Sequence, residues 1–205
     1  MNADVIAPVY DSLSRLVFGN SLYEAAAWTY SFIPSNSKIL IVGGGTGTIL
    51  TDLDKPGAGF MIDYVELSSV MVSLSERRAP FNHIHVNFHQ CDIMTWRDGS
   101  DYDVIITPFF LDCFGKADLE LVIRRLTRLI KSDGLWCFTD FVETKSKWQR
   151  ALIRFMYLFF RLTTGLTNDR LPDYDTVFRA NSLRLTAVQT FYHGMIESRL
   201  YQPVS

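Results

Sequence analysis

Cysteine is scarce in this sequence: Cys91, Cys113 and Cys137 are the only three in 205 residues, far apart and set in apolar runs. An odd, scattered set argues against a disulfide framework, and no zinc-ligand spacing appears, so no metal is expected. Reduced core thiols in a cytoplasmic protein fit better. An excess of charge of either sign is also missing, with 20 Lys and Arg against 22 Asp and Glu and a formal net charge of −2. Overall charge therefore gives no reason to expect nucleic acid as a partner. No uninterrupted apolar run reaches the roughly 20 residues that span a bilayer. The start, Met1-Asn2-Ala3-Asp4, lacks a basic region followed by an apolar stretch, so no signal peptide is expected. Repeats and low-complexity linkers are absent too, and the length suits one domain over 1–205 with one sizeable core.

What is present is an apolar, aromatic-rich chain, 48% hydrophobic with 15 Phe, 9 Tyr and 4 Trp. Residues 1–36 read as a helical segment with a break at Gly19-Asn20, closed by the turn chemistry of Pro34-Ser35-Asn36-Ser37. Lys38-Ile39-Leu40-Ile41-Val42 follows as a continuous apolar run, the mark of a strand buried on both faces in a parallel sheet. Further strands are expected at Gly59–Val65, Ile84–Cys91, Tyr102–Thr107 and Leu135–Thr139. Helices are expected at Ser69–Arg78 and at Lys116–Lys131, the second with apolar residues at helical period and an end at Asp133-Gly134. Strands alternating with helices indicate an α/β doubly wound fold. Leu183–Phe191 and Met195–Tyr201 are separated only by Tyr192-His193-Gly194, too short for a parallel crossover, so they form an antiparallel hairpin.

Val42 runs into Gly43-Gly44-Gly45-Thr46-Gly47. Glycines here let the chain turn tightly and bring its backbone close to a ligand. The dinucleotide fingerprint G-x-G-x-x-G would need a sixth-position glycine where Thr48 stands. Glu66 follows the second strand about 20 residues on, the spacing of an acid that accepts from both hydroxyls of a ribose. Asp92, in Gln90-Cys91-Asp92-Ile93, ends the third strand, where an N-cap is the plain reading. The loop G-x-G-x-G, the string Val65-Glu66-Leu67-Ser68-Ser69 and the acid at Asp92, in that order, resemble the class I S-adenosylmethionine-dependent methyltransferases. The chain looks closest to members that act on small molecules, including those of quinone biosynthesis.

That resemblance implies a Rossmann-like three-layer sandwich with a seven-stranded, mainly parallel sheet ending in an antiparallel hairpin. It implies S-adenosylmethionine as cofactor, held by Gly43, Gly44, Gly45, Thr46 and Gly47, with Glu66 and Leu67 on the ribose and Asp92 and Ile93 on the adenine. The resemblance also places Thr107 and Phe109 at the cofactor, and the aromatics of Thr107-Pro108-Phe109-Phe110 are read as walls of the cofactor or substrate pocket, because the Asn or Asp that nucleobase methylases carry there is missing. Pro8-Val9-Tyr10-Asp11 resembles a start that folds over the cofactor in quinone-type members, placing Tyr10 at the site. One departure stands out: many members carry an acid where this chain has Ile41.

The segment 145–182 is an insertion before the hairpin. Within 147–166, Lys147, Arg150, Arg154 and Arg161 share one helical face, with Trp148, Leu152, Phe155, Met156, Phe159 and Phe160 around the rest. It reads as a docked helix, a lid over an apolar substrate, or a helix in transient contact with a membrane surface. The expected reaction moves a methyl group from S-adenosylmethionine to a small, apolar or aromatic acceptor, largely by proximity and orientation. Asp112 and Asp140, just beyond strand ends, are candidates for a general base, and a helix cap and a loop residue are their plain readings. The alternative function is a non-catalytic, cofactor- or partner-binding scaffold with the same fold.

Overall fold

The computed structural model describes residues 17–97, 101–144, 146–153 and 171–204. Tyr10, with the rest of 1–16, lies outside the described residues, as do 154–170 of the inserted segment.

Seven strands form one sheet in the order β3-β2-β1-β4-β5-β7-β6. They are β1 Lys38–Val42, β2 Phe60–Glu66, β3 Ile84–Gln90, β4 Tyr102–Pro108, β5 Ile130–Phe141, β6 Leu183–Phe191 and β7 Ile196–Pro203. The first five pair in parallel, and β7 runs antiparallel between β5 and β6. The helices are α1 Ser21–Tyr30, α2 Thr48–Leu53, α3 Ser69–Glu76, α4 Lys116–Thr127 and α5 Tyr174–Ala180. Residues 147–153 are helical as well.

The unbroken apolar run of β1 serves two cores, as burial on both faces requires. Leu40 and Val42 face α4 and α5 through Leu119, Val122, Ile123, Leu126 and Phe178. Ile39 and Ile41 face α2 through Ile49, Leu50 and Leu53, with Trp28 and Tyr30 of α1 against the same core. Three layers result, helices on each side of the sheet. Among the described residues no helix is long and apolar enough to cross a membrane.

The chain departs from the sequence reading at the fifth strand. Helix α4 ends at Thr127, four residues before the expected end, and β5 begins at Ile130. Asp133-Gly134 therefore lies inside a strand and ends no helix. The reason is a register shift: Tyr102 pairs with Ile130, but Val104 pairs with Leu135. The surplus residues of β5 bulge there, and Gly134 fits because a Cβ would stand 2.5 Å from Ile130 and 3.2 Å from the Asp103 carbonyl. The hairpin forms as expected, and its connection is a 3₁₀ turn with Tyr192, His193 and Gly194 all at positive φ.

Candidate active site at the carboxyl ends of the strands

Ligands of open α/β sheets bind beyond the carboxyl ends of the strands, beside the point where strand order reverses. Here that point lies between β1 and β4, which continue β1–β2 one way and β4–β5 the other. The five residues after β1 form the expected loop. Gly43 sits at φ +68, and a Cβ on it would stand 2.4 Å from the Phe110 ring. Gly44 lies flat on Tyr64, whose ring would be 2.4 Å from a Cβ. Gly47, at φ +75, leaves 2.7 Å to Ser75. Gly45, at φ +65, is the exception: no described atom lies within 4 Å of where its Cβ would be. Three glycines are thus demanded by protein neighbours, and the fourth leaves an open side.

Glu66 ends β2 directly beside this loop. Its Oε2 accepts the Gly45 N–H at 3.2 Å and its Oε1 accepts the Ser68 N–H at 2.9 Å. Ser68 in turn caps α3, accepting from the Met71 N–H. Leu67, the next residue, stays half exposed, with 50% of its surface accessible. At the end of β3, Asp92 Oδ1 accepts the Met94 N–H at 2.8 Å and its carbonyl accepts from Thr95 and Trp96, the tight turn that the plain reading predicts. Ile93 is 3% exposed and packs into the core beneath. Arg125 of α4 holds this turn by donating from Nε to the Ile93 carbonyl at 2.6 Å and from Nη2 to the Trp96 carbonyl.

Thr107 is fully buried, and its hydroxyl accepts from Trp136 Nε1 at 2.9 Å. It braces β4 against β5 and presents no side chain to the mouth. Phe109 does, at φ +50, a conformation that a bulky residue adopts only when its surroundings impose it. The constraint is visible: its N–H donates to the Thr139 carbonyl at 2.7 Å and its ring packs 5.4 Å from Phe141. Phe18 joins Phe141 at 5.3 Å and Tyr192 at 5.0 Å, which makes a continuous aromatic wall at the ends of β5 and β7. The helix at 147–153 is fastened over the hairpin tip by Gln149, 4% exposed, whose Nε2 donates to the His193 carbonyl at 2.9 Å.

The two candidate bases form a pair with unequal parts. Asp140 is fully buried, with Oδ2 accepting the N–H groups of Leu111 and Asp112 and Oδ1 accepting its successor Phe141. It anchors the turn that carries Asp112. Asp112 keeps some accessible surface beside Cys113. Burial, above all, pushes the Asp112 carboxyl up to about 6, and it raises Asp140 well above the usual carboxylate range, with Asp112's charge adding to the effect. The two therefore titrate as a pair. A carboxyl whose pKa is higher folded than unfolded binds its proton first in the folded state, so stability falls as pH rises between the two values. We expect the wild-type unfolding midpoint in urea to decline from about pH 4 to pH 6. Asp112→Asn is expected to flatten that decline, and an unchanged slope would detach it from this pair.

Sequence reasoning missed Tyr64, Ser75 and Arg78, which support the glycine loop, and Arg125, which holds the Asp92 turn. Each reads as an ordinary strand or helix residue, and only the third dimension brings it to the site. No group of His, Cys, Asp and Glu among the described residues is placed to hold a metal. A groove of about 470 Å³ at the opposite, amino end of the sheet, lined by Phe32, Asp103, Asp133 and Gln202 among others, shares no residue with this site.

Residues 39–134 match a family model of the methyltransferase domain. Among curated proteins, the chain is similar to the carboxy-S-adenosyl-L-methionine synthase of Nautilia profundicola, 21% identical over 135 residues, 66% of this chain and 57% of that protein. The chain spans about half the length of the curated relatives it matches. Two solved structures share the fold over nearly all of this chain. The 1,6-didemethyltoxoflavin-N1-methyltransferase of Burkholderia thailandensis, with bound 1,6-didemethyltoxoflavin and S-adenosylhomocysteine, has a TM-score of 0.69 at 14% identity, covering 99% of this chain and 87% of that one. A TehB-like S-adenosylmethionine-dependent methyltransferase of Corynebacterium glutamicum has a TM-score of 0.64 at 16% identity, covering 97% and 98%.

Proposed function

We propose that this chain is a class I S-adenosylmethionine-dependent methyltransferase and that it methylates a small, apolar or aromatic acceptor. The observation that carries this reading is the order of features along the carboxyl edge of the sheet. Asp92 at β3 and Glu66 at β2 suit adenine and ribose, and the glycine loop at β1 follows. Asp112 comes next, beyond β4, and the aromatic wall stands at β5 and β7. A ligand laid along that edge with its adenine over β3 has its reactive end over β1 and β4, facing the wall.

The residues fit the cofactor. The open side of Gly45 is a cradle that any side chain would fill, and Glu66 is a carboxylate that accepts from several donors at once. S-adenosylmethionine supplies an activated methyl group on a sulfonium. The chain's own part is orientation: the loop and Glu66 fix one reactant, while Phe109 and Tyr192, backed by the buried Phe18 and Phe141, exclude water and hold a flat apolar partner beside it. Where the acceptor atom must lose a proton, Asp112 is the carboxyl with accessible surface to take it. A flat heteroaromatic acceptor of the kind named for the Burkholderia protein suits such a wall.

Glu66→Ala is expected to weaken S-adenosylhomocysteine binding by about 1.5–3 kcal/mol, the scale of a charge-assisted hydrogen bond. Calorimetric titration of the folded variant checks this, and unchanged affinity would remove Glu66 from the site. Transfer itself is tested by incubating the protein with methyl-labelled S-adenosylmethionine and a panel of phenols and nitrogen heteroaromatics. Label should enter at least one of them. Transfer to polar acceptors alone would refute the apolar reading.

A further inference from the structure

Ile41 is fully buried in the core beneath the glycine loop and has no polar atom to order it. The loop is ordered all the same, from an unexpected side. Tyr64 is fully buried on β2, and its hydroxyl donates to the Gly45 carbonyl at 2.9 Å. Ser75 of α3, also fully buried, places Oγ 3.0 Å from that carbonyl, 3.1 Å from the Tyr64 hydroxyl and 2.9 Å from the Met71 carbonyl of its own helix, so its one proton is shared among them and it is the weaker of the two supports. Arg78 extends the support by donating from Nε to the Thr46 carbonyl at 2.6 Å. Burial holds the Tyr64 phenol well above its ordinary pKa, so it remains a neutral donor.

These bonds act on one peptide unit. A trans peptide is planar, with C=O and N–H pointing in opposite directions. Drawing the Gly45 carbonyl down to Tyr64 and Ser75 turns the Thr46 N–H away from them. Glu66 meanwhile fixes the preceding Gly45 N–H. We propose that Tyr64 and Ser75 are positioning residues that set the Gly45–Thr46 peptide for the amino-acid half of the cofactor, the ordering task that many family members give to an acid at the place of Ile41. Neither side chain touches the ligand. The inference rests on the cofactor assignment above, and it locates the support in two hydroxyls under the loop.

The test compares two probes that share the nucleoside, S-adenosylhomocysteine and 5′-methylthioadenosine, which lacks the amino-acid portion. Tyr64→Phe keeps the ring on which Gly44 rests and removes only the hydroxyl. It should weaken S-adenosylhomocysteine about fivefold and leave 5′-methylthioadenosine within about twofold, since one hydrogen bond is worth on the order of 1 kcal/mol. Ser75→Ala should show the same split in smaller measure, and it carries the test alone if the tyrosine variant does not fold. Equal losses for both probes would mean general loosening of the loop and overturn the proposal, as would no loss for either. Failure of the wild-type protein to bind either probe would instead refute the cofactor assignment.

Discussion

Gly47→Val is expected to abolish measurable binding of S-adenosylhomocysteine and to lower stability by about 2–5 kcal/mol. Two costs add. Gly47 sits at φ +75, where an L-residue with a branched Cβ is strained by roughly 1–2 kcal/mol. Its new Cβ would also stand 2.7 Å from Ser75 Cβ and 2.9 Å from Ser75 Cα, and overpacking of a filled core costs about 1–3 kcal/mol more. Ser75 cannot yield, because it is fully buried and its backbone belongs to α3. Pushing it aside breaks its bond under Gly45, so the damage reaches the loop directly. Gly45→Ala is the informative contrast. It meets no described neighbour within 4 Å, so only the φ +65 strain of roughly 1–2 kcal/mol remains, and the methyl group falls in the open side. Binding should be lost there while most of the stability survives. Urea unfolding beside calorimetric titration separates the two, and retained binding in Gly45→Ala would show that the open side does not face the cofactor.

Asp140→Leu is expected to cost about 3–5 kcal/mol of stability, the largest loss from any single polar side chain at the site. The leucine leaves the N–H groups of Leu111, Asp112 and Phe141 without their acceptor, and a buried, unsatisfied donor costs about 1–3 kcal/mol. Removing a buried carboxyl next to Asp112 offsets part of this, which keeps the total below the sum. Asp140→Asn retains one carbonyl oxygen as acceptor and should lose only about half as much. Urea unfolding gives both values, and amide hydrogen exchange at Leu111 and Asp112 should accelerate in the leucine variant. A loss under about 0.5 kcal/mol would mean that these amides find other acceptors, and the 111–113 turn would need another anchor.

Much of this was legible in the sequence because the relevant signals are local. The unbroken apolar run of β1 announced two-sided burial, and the period of Leu119, Val122, Ile123 and Leu126 announced the buried face of α4. The three residues between β6 and β7 left no choice but an antiparallel turn. The start of β5 was not legible, because Lys131–Gly134 reads as a helix end and becomes a strand only by pairing irregularly with β4. At the candidate site, the loop, Glu66 and Asp92 were legible because each stands at the end of a strand. Sequence reasoning misjudged Thr107, whose hydroxyl is taken by Trp136 across the next strand. It could not see Tyr64 and Ser75, which are 11 residues apart in the chain and meet only through the packing of α3 on the sheet. Of the aromatic wall, the sequence points only to Phe109, with a general excess of Phe and Tyr. The wall's members come from before α1, from the ends of β4 and β5 and from the hairpin tip, so no window of sequence holds them together.

The measurement that bears most directly on the central claim is a calorimetric titration of the full chain with S-adenosylmethionine and then with S-adenosylhomocysteine. The account predicts saturable, one-to-one binding of both at micromolar concentration, lost for both in Gly45→Ala and weakened in Glu66→Ala. Heats of dilution alone, from a protein shown by circular dichroism to be folded, would contradict it and leave the glycine loop a turn without a ligand.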